Sequence, residues 1–215
     1  RANRGAEAIE AALKTAMRAK GKTEIIAFVR AYHGKTFGAL SATWEQKYKD
    51  GFGPLFPHLT HVPYGDIEKT RAAVSDRTAA ILVEPIQGEG GVRVPPKGFL
   101  EDLSHLSREK GLLLIMDEVQ TGLMRTGKMF GYQWEALVPD MLVMGKGLAG
   151  GLPVGAVLSS METLAKLGVG GHTSTMAGSP LVCAAGSATL EALKEEVGEG
   201  DVARRSSLFY ESLGN

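Results

Sequence analysis

Two residues of opposite charge close two hydrophobic runs: Asp117 ends the apolar part of LLLIMDEVQTG (112–122), and Lys146 follows that of DMLVMGKGLAGGLP (140–153). Apolar runs without polar alternation read as parallel strands covered on both faces, and in such sheets ligands sit outside the carboxyl ends. Both charges therefore belong at one site. A lysine at a crowded, glycine-lined strand end suits Schiff-base chemistry, and an aspartate nearby suits holding a cationic ring nitrogen. Together they are how proteins use pyridoxal phosphate. An ordinary ion pair at the sheet edge is the alternative for these two residues taken alone. Glycine makes up 28 of 215 residues and clusters at 88–91, 145–151 and 168–171, as expected where backbone approaches a ligand or turns with positive φ.

The elements that must position this pair follow from periodicity. Ile9, Leu13 and Met17 lie four residues apart before Gly21, which predicts an amphipathic opening helix over 6–20 with a stop signal. Strand-like runs are expected at 24–30, 79–85, 112–118, 141–146 and 155–160, and helical patterns at 66–74, 98–110 and 180–197. Strands alternating with helices give an α/β architecture with a mainly parallel sheet flanked by helices. No repeat, low-complexity tract or linker divides the chain, so residues 1–215 read as one domain.

Composition narrows the partners. Lys+Arg and Asp+Glu both number 24, for a formal net charge of 0, and no basic stripe interleaves with aromatics, so nucleic acid is not expected. The partner is expected to be a small molecule. Cys183 is the sole cysteine, which excludes an internal disulfide and suits a reducing cytoplasm. There is neither a stretch of ~18 apolar residues nor a signal-peptide pattern, so no membrane span is expected. His58 and His61 lack an acidic third ligand at recognisable spacing, so no metal is assigned.

Six segments occur in one order: NRGAEAIEAALK (3–14), AYHGKTFGALSAT (31–43), VEPIQGEGG (83–91), MDEVQTG (116–122), GKGLAGGLPVGAV (145–157) and HTSTMAGSP (172–180). This order resembles the class III pyridoxal-phosphate aminotransferases over nearly the whole chain. The resemblance implies the large domain of a fold-type-I pyridoxal-phosphate transferase, without the N- and C-terminal segments that build the family's small domain. It also implies a homodimer with shared active sites.

Residue by residue, the resemblance makes Lys146 the covalent attachment point and proton-moving base, and Asp117 the partner of the pyridine nitrogen. Val119 would pack on one ring face, Tyr32 would stack on the other, and Gln120 would approach the ring hydroxyl. His33 is expected beside the cofactor or as a hydrogen-bonded structural residue. Gly5 and Ala6 open a helix, whose free N–H groups suit the phosphate; the family usually has serine where Arg4 stands. Ser174 and Thr175 match the segment that reaches the neighbouring subunit's phosphate, although Thr173, Met176, Ala177 and Ser179 depart from the family pattern. Glu84 is expected near the cofactor. Glu89 would pair with a C-terminal arginine that gates between amine donor and dicarboxylate acceptor.

Lys35 stands where acetylornithine, ornithine and 4-aminobutyrate aminotransferases commonly place an arginine for a substrate carboxylate, and lysine lacks the bidentate fork. The HGK triplet and the stretches at 51–68 and 90–100 resemble putrescine-type enzymes, whereas TWEQKYK (43–49) resembles acetylornithine and carrier-bound lysine enzymes. The expected reaction is transfer of a terminal amine from a diamine or acetylornithine-like donor to 2-oxoglutarate, with a modest preference for the diamine. Class III racemases and an aminomutase share these residues and stay open, as does a catalytically incomplete cofactor-binding fragment. A dinucleotide site fails because GKGLAG (145–150) is followed by Pro153 and by GVGGH at 168–172 instead of a ribose-binding acid. A Walker A loop fails because Ala16 and Val29 stand where its first glycine should be.

Overall fold

The computed structural model describes residues 2–196 and 199–214. Six strands form one sheet in the order β2-β1-β3-β4-β5-β6. They are β1 (Glu24–Phe28), β2 (Leu59–Val62), β3 (Thr78–Val83), β4 (Leu113–Asp117), β5 (Met141–Met144) and β6 (Ala156–Ser159). All pairings are parallel except β5 with β6. The helices are α1 (Gly5–Lys20), α2 (Phe37–Ala42), α3 (Ile67–Ala73), α4 (Phe99–Lys110), α5 (Met161–Ala165), α6 (Pro180–Glu196) and α7 (Glu199–Leu213).

The central strands are buried on both faces, which is why they lack polar alternation. Ile25, Ala80, Leu82, Ile115, Met141 and Val143 face α1, against Ala8, Ile9, Ala12, Leu13 and Ala16. Their chain neighbours Ile26, Ile81, Val83, Leu114, Met116 and Leu142 face α4, against Phe99, Leu103 and Leu106. Alternate residues thus feed two separate cores, as the twofold side-chain period of a strand requires. The alanine face of α1 brings its axis close to the sheet, and α1 stops at Gly21, whose φ of 63° is left-handed.

Three expectations need correction. Strand β2 was not legible: its HLTHV segment carries polar residues between Pro57 and Pro63, and it sits at the sheet edge, where continuous apolar character is unnecessary. Helices α2 and α5 are too short to show a period, and α7 went unread although it follows directly on the expected 180–197 helix. That helix is observed from Pro180 to Glu196, with residue 197 outside the described set. Strands β1, β3 and β5 end at Phe28, Val83 and Met144, earlier than expected, so Glu84 and Lys146 project from loops beyond the sheet.

One edge contact carries a pH prediction. His61 on β2 donates Nε2–H to the Ala42 carbonyl at 2.9 Å and lies edge-on to Trp44. Burial pulls its pKa down from 6.5 to about 4, against the opposing effect of that hydrogen bond. Between those values the unfolded chain binds a proton that the folded chain refuses, so stability falls as pH falls. The expected loss from pH 7 to pH 5 is about 2 kcal/mol, read as a lower urea midpoint. His61→Asn should flatten that acid-side loss, and an unchanged slope in the variant would refute the assignment.

Candidate active site

Parallel strands place the carboxyl ends of β1, β3, β4 and β5 on one edge of the sheet. The chain passes from β1 outward to β2 and then back to β3 on the other side, so the direction of winding reverses between β1 and β3. Crevices form at such reversals. The loops after β1 and β3 supply Tyr32, His33, Lys35 and Glu84, the end of β4 supplies Asp117, and the loops after β4 and β5 supply Val119, Gln120 and Lys146. With Gly5, Ala6 and Gly34, these residues line one cavity of about 290 Å³. Residues separated by more than a hundred positions are thereby brought to one pocket.

Asp117 is the last residue of β4 and is buried. Its Oδ2 lies 2.7 Å from His33 Nδ1, and its Oδ1 accepts from the Val119 N–H at 3.0 Å. A carboxylate only accepts, so Nδ1 carries the hydrogen, and each Asp117 oxygen keeps a further acceptor position. His33 Nε2 is buried without a partner, so the contact with Asp117 is what orients the ring. Burial lowers the His33 pKa, but the hydrogen bond and charge of Asp117, with Glu84 beyond, outweigh it and hold the ring above its usual value. The loop carrying His33 is pinned by Thr43, whose Oγ1 accepts from His33 N and donates to the Gly34 carbonyl.

Lys146 follows Gly145 at the exit of β5 and opens a short 3-10 turn. Its φ of 44° is left-handed, a conformation that costs a non-glycine residue on the order of 1 kcal/mol and clusters at functional sites. Its Nζ donates to Gln120 Oε1 at 2.6 Å. Glycine at position 5 is demanded by packing, since a Cβ there would lie 2.8 Å from Val119 Cγ1. Glycine at position 34 lets the Tyr32 loop cross the first turn of α1, where an added Cβ would meet Ala6 Cβ at 2.5 Å.

Glu84 accepts from the Tyr32 N–H at 3.1 Å. Burial is the main cause that pushes its pKa up to about 7; His33 opposes the rise and Asp117 adds to it. Glu89 lines a second cavity of about 480 Å³ that shares Val119, Gln120 and Lys146 with the first, so the two adjoin. Leu123, Arg125 and Thr126 also line this second space and escaped the sequence reading; their glycine-flanked loop has no period to mark it. Glu118 explains that loop's position: buried, it accepts from Thr121 Oγ1, Gly131 N and Tyr132 N, tying 118–122 to 131–132.

Ser174 and Thr175 line neither cavity. Ser174 Oγ accepts from Asn3 Nδ2 at 2.6 Å beside the start of α1, and Thr175 is exposed. Arg4 is likewise exposed and outside the cavity. Among the described residues no three His, Cys, Asp or Glu side chains group as a metal site, and no helix is long and apolar enough to cross a membrane.

The cavity fits a phosphorylated pyridine ring. It offers a primary amine at Lys146, an acidic acceptor at Asp117, apolar and aromatic walls at Val119 and Tyr32, and a helix start at Gly5 whose first N–H groups have no intrahelical acceptor. The glycine at position 5 keeps that helix start open beside Val119.

Comparison with known proteins points the same way. The chain is 48% identical over 194 residues to an acetylornithine aminotransferase from Methanopyrus kandleri, covering 90% of this chain and 50% of that protein. It is 46% identical over 203 residues to an ornithine aminotransferase from Bacillus subtilis, covering 90% of this chain and 51% of that one. An ornithine aminotransferase structure from Toxoplasma gondii, described as showing partial occupancy of PLP at its active site, superposes with a TM-score of 0.94 at 37% identity. It covers 98% of this chain and 52% of that one. The chain thus spans about half the length of the relatives it matches. The family model for class-III aminotransferases matches residues 1–215, and with the Lys146 and Asp117 loops meeting in one glycine-lined cavity, the chain belongs to the class-III aminotransferases, a pyridoxal-phosphate-dependent family.

Proposed function

We propose that the protein containing this chain transfers a terminal (ω) amino group from a diamine or acetylornithine-like donor to 2-oxoglutarate, with pyridoxal 5'-phosphate as cofactor. The observation that carries this reading is the convergence of Lys146, Asp117 and the Gly5 helix start on one cavity. The relatives named acetylornithine and ornithine aminotransferases support the ω-amine donor class. When bound, the cofactor supplies a protonated pyridine ring that takes up the electron pair left when a proton leaves the donor's amine-bearing carbon.

The chain's own residues do the rest. Lys146 Nζ holds the cofactor and then carries the proton to and from the reacting carbon. Asp117 keeps the proton on the ring nitrogen, because an opposite charge within about 4–6 Å favours the charged form. His33 fixes the Asp117 carboxylate by donating Nδ1–H to it. Val119 and Tyr32 would wall the ring, Gly5 and Ala6 would receive the phosphate, and Gln120 would serve the ring hydroxyl. Glu84 holds the Tyr32 loop, while Lys35 and Glu89 face substrate. The reading includes residues 1–215 as a large domain that the rest of the protein completes, and a cytoplasmic homodimer in which Ser174 and Thr175 serve the partner subunit's phosphate.

A donor panel on the complete protein tests this, with N-acetylornithine, ornithine, putrescine and α-amino acids assayed by glutamate formation. Terminal amines should dominate, and light scattering should show a dimer that Thr175→Ala leaves intact while weakening cofactor retention. A strong preference for α-amino groups, interconversion of enantiomers without an acceptor, or a fully active monomer would contradict the reading.

A further inference from the structure

Lys35, which lines the cavity, and Lys47 both approach the ring of Tyr48. The Lys35 ammonium lies 4.3 Å from the Tyr48 ring centroid, and that of Lys47 lies 5.1 Å from the same centroid. Both are within the ~6 Å over which a ring face attracts a cation. Among the described residues neither ammonium has a carboxylate partner. The Lys35 ammonium is therefore held at the cavity by the ring of a half-buried tyrosine. Tyr48 in turn meets Tyr32 edge-on at 5.8 Å, so the ring is braced against a wall of the cavity.

A lone lysine is a poor selector, since its flexible stem spreads the charge over many positions. A lysine laid on a braced ring is a placed charge. A placed ammonium group repels the far cation of a diamine and attracts a carboxylate. This reverses the modest diamine preference expected from Lys35 considered alone.

We infer that Tyr48 is a specificity-determining positioning residue, which holds the Lys35 ammonium at the cavity and so favours substrates with a carboxylate remote from the reacting amine. The inference rests on the aminotransferase reading above. It needs no change in the chemistry at Lys146, because Tyr48 acts through Lys35.

The test uses the complete, cofactor-loaded protein and two readouts. Calorimetric titration with glutarate, which has no amine or oxo group, reports carboxylate binding without chemistry. Tyr48→Leu and Lys35→Met should each weaken it about two- to fivefold, the effect of losing an exposed cation–π contact or its charge. Tyr48→Phe, which keeps the ring face, should bind as the parent does, and the double variant should bind no more weakly than Lys35→Met. Single-turnover absorbance without acceptor then compares N-acetylornithine with putrescine. Tyr48→Leu should lower the ratio of their second-order constants by a similar factor.

Unchanged glutarate affinity in Tyr48→Leu, a further loss in the Lys35→Met background, or equal slowing of both donors would each overturn the inference. Absence of any donor-dependent absorbance change would instead overturn the aminotransferase reading, and the glutarate cycle would still decide the coupling of Tyr48 to Lys35.

Discussion

Lys146→Ala is expected to abolish the borohydride-reducible cofactor adduct of the complete protein and to lower turnover by about 10³-fold or more. Loss of a positioned general base alone is worth on the order of 10²–10⁴-fold, and the covalent attachment is lost with it. The fold should survive, because among the described residues the Nζ donates only to Gln120 Oε1. Alanine also accepts the left-handed φ of 44° no worse than lysine does. Peptide mass mapping after reduction decides the matter. An adduct retained on the variant and mapped to Lys35 or another lysine would sink the assignment.

Asp117 calls for two substitutions, since removing a buried charge affects the fold as well as the chemistry. Asp117→Ala strips the His33 ring of the one hydrogen-bond partner it has among the described residues, leaving both ring nitrogens buried and unpaired. Breaking such a buried pair costs roughly 3 kcal/mol or more. Asp117→Asn keeps an acceptor for the Val119 N–H and a polar partner for His33 but removes the charge that holds a proton on the ring nitrogen. We expect the asparagine variant to stay folded, to bind pyridoxal phosphate weakly and to lose turnover by about 10²-fold or more, since a neighbouring opposite charge shifts a pKa by about 1–3 units. Near-normal transamination by Asp117→Asn, at parental cofactor occupancy, would show that another group holds the nitrogen.

The alternation of buried residues is a local property, and it was readable. Central strands covered on both faces are apolar between their ends, so β1, β3, β4 and β5 announced themselves. The polar residue that ends such a run is conspicuous for the same reason, which is why Asp117 and Lys146 stood out first. Edge strand β2 escaped because it is only partly covered, with Thr60 exposed and Leu59 and His61 half-buried, so it needs no continuous apolar run. The loop over 121–131 escaped because its position depends on three hydrogen bonds to Glu118, none of which leaves a trace in residue spacing.

Sequence by itself thus determined the chemistry available: a lysine and an aspartate at strand ends, a glycine-opened helix start, and a mainly parallel α/β sheet to carry them. Tertiary structure decided which groups touch. His33 meets Asp117 across 84 positions, and Lys35 and Lys47 share the Tyr48 ring, although Lys35 lies on the loop before α2 and Lys47 in the turn after it. It also separated Glu84 from Glu89, placing one beneath the Tyr32 loop and the other in the adjoining cavity. The physical reason is that period and burial act along a chain of near neighbours, whereas strand order and loop path set the distances between remote residues. Those distances fix which charges are neutralised, and so which substrate the site prefers.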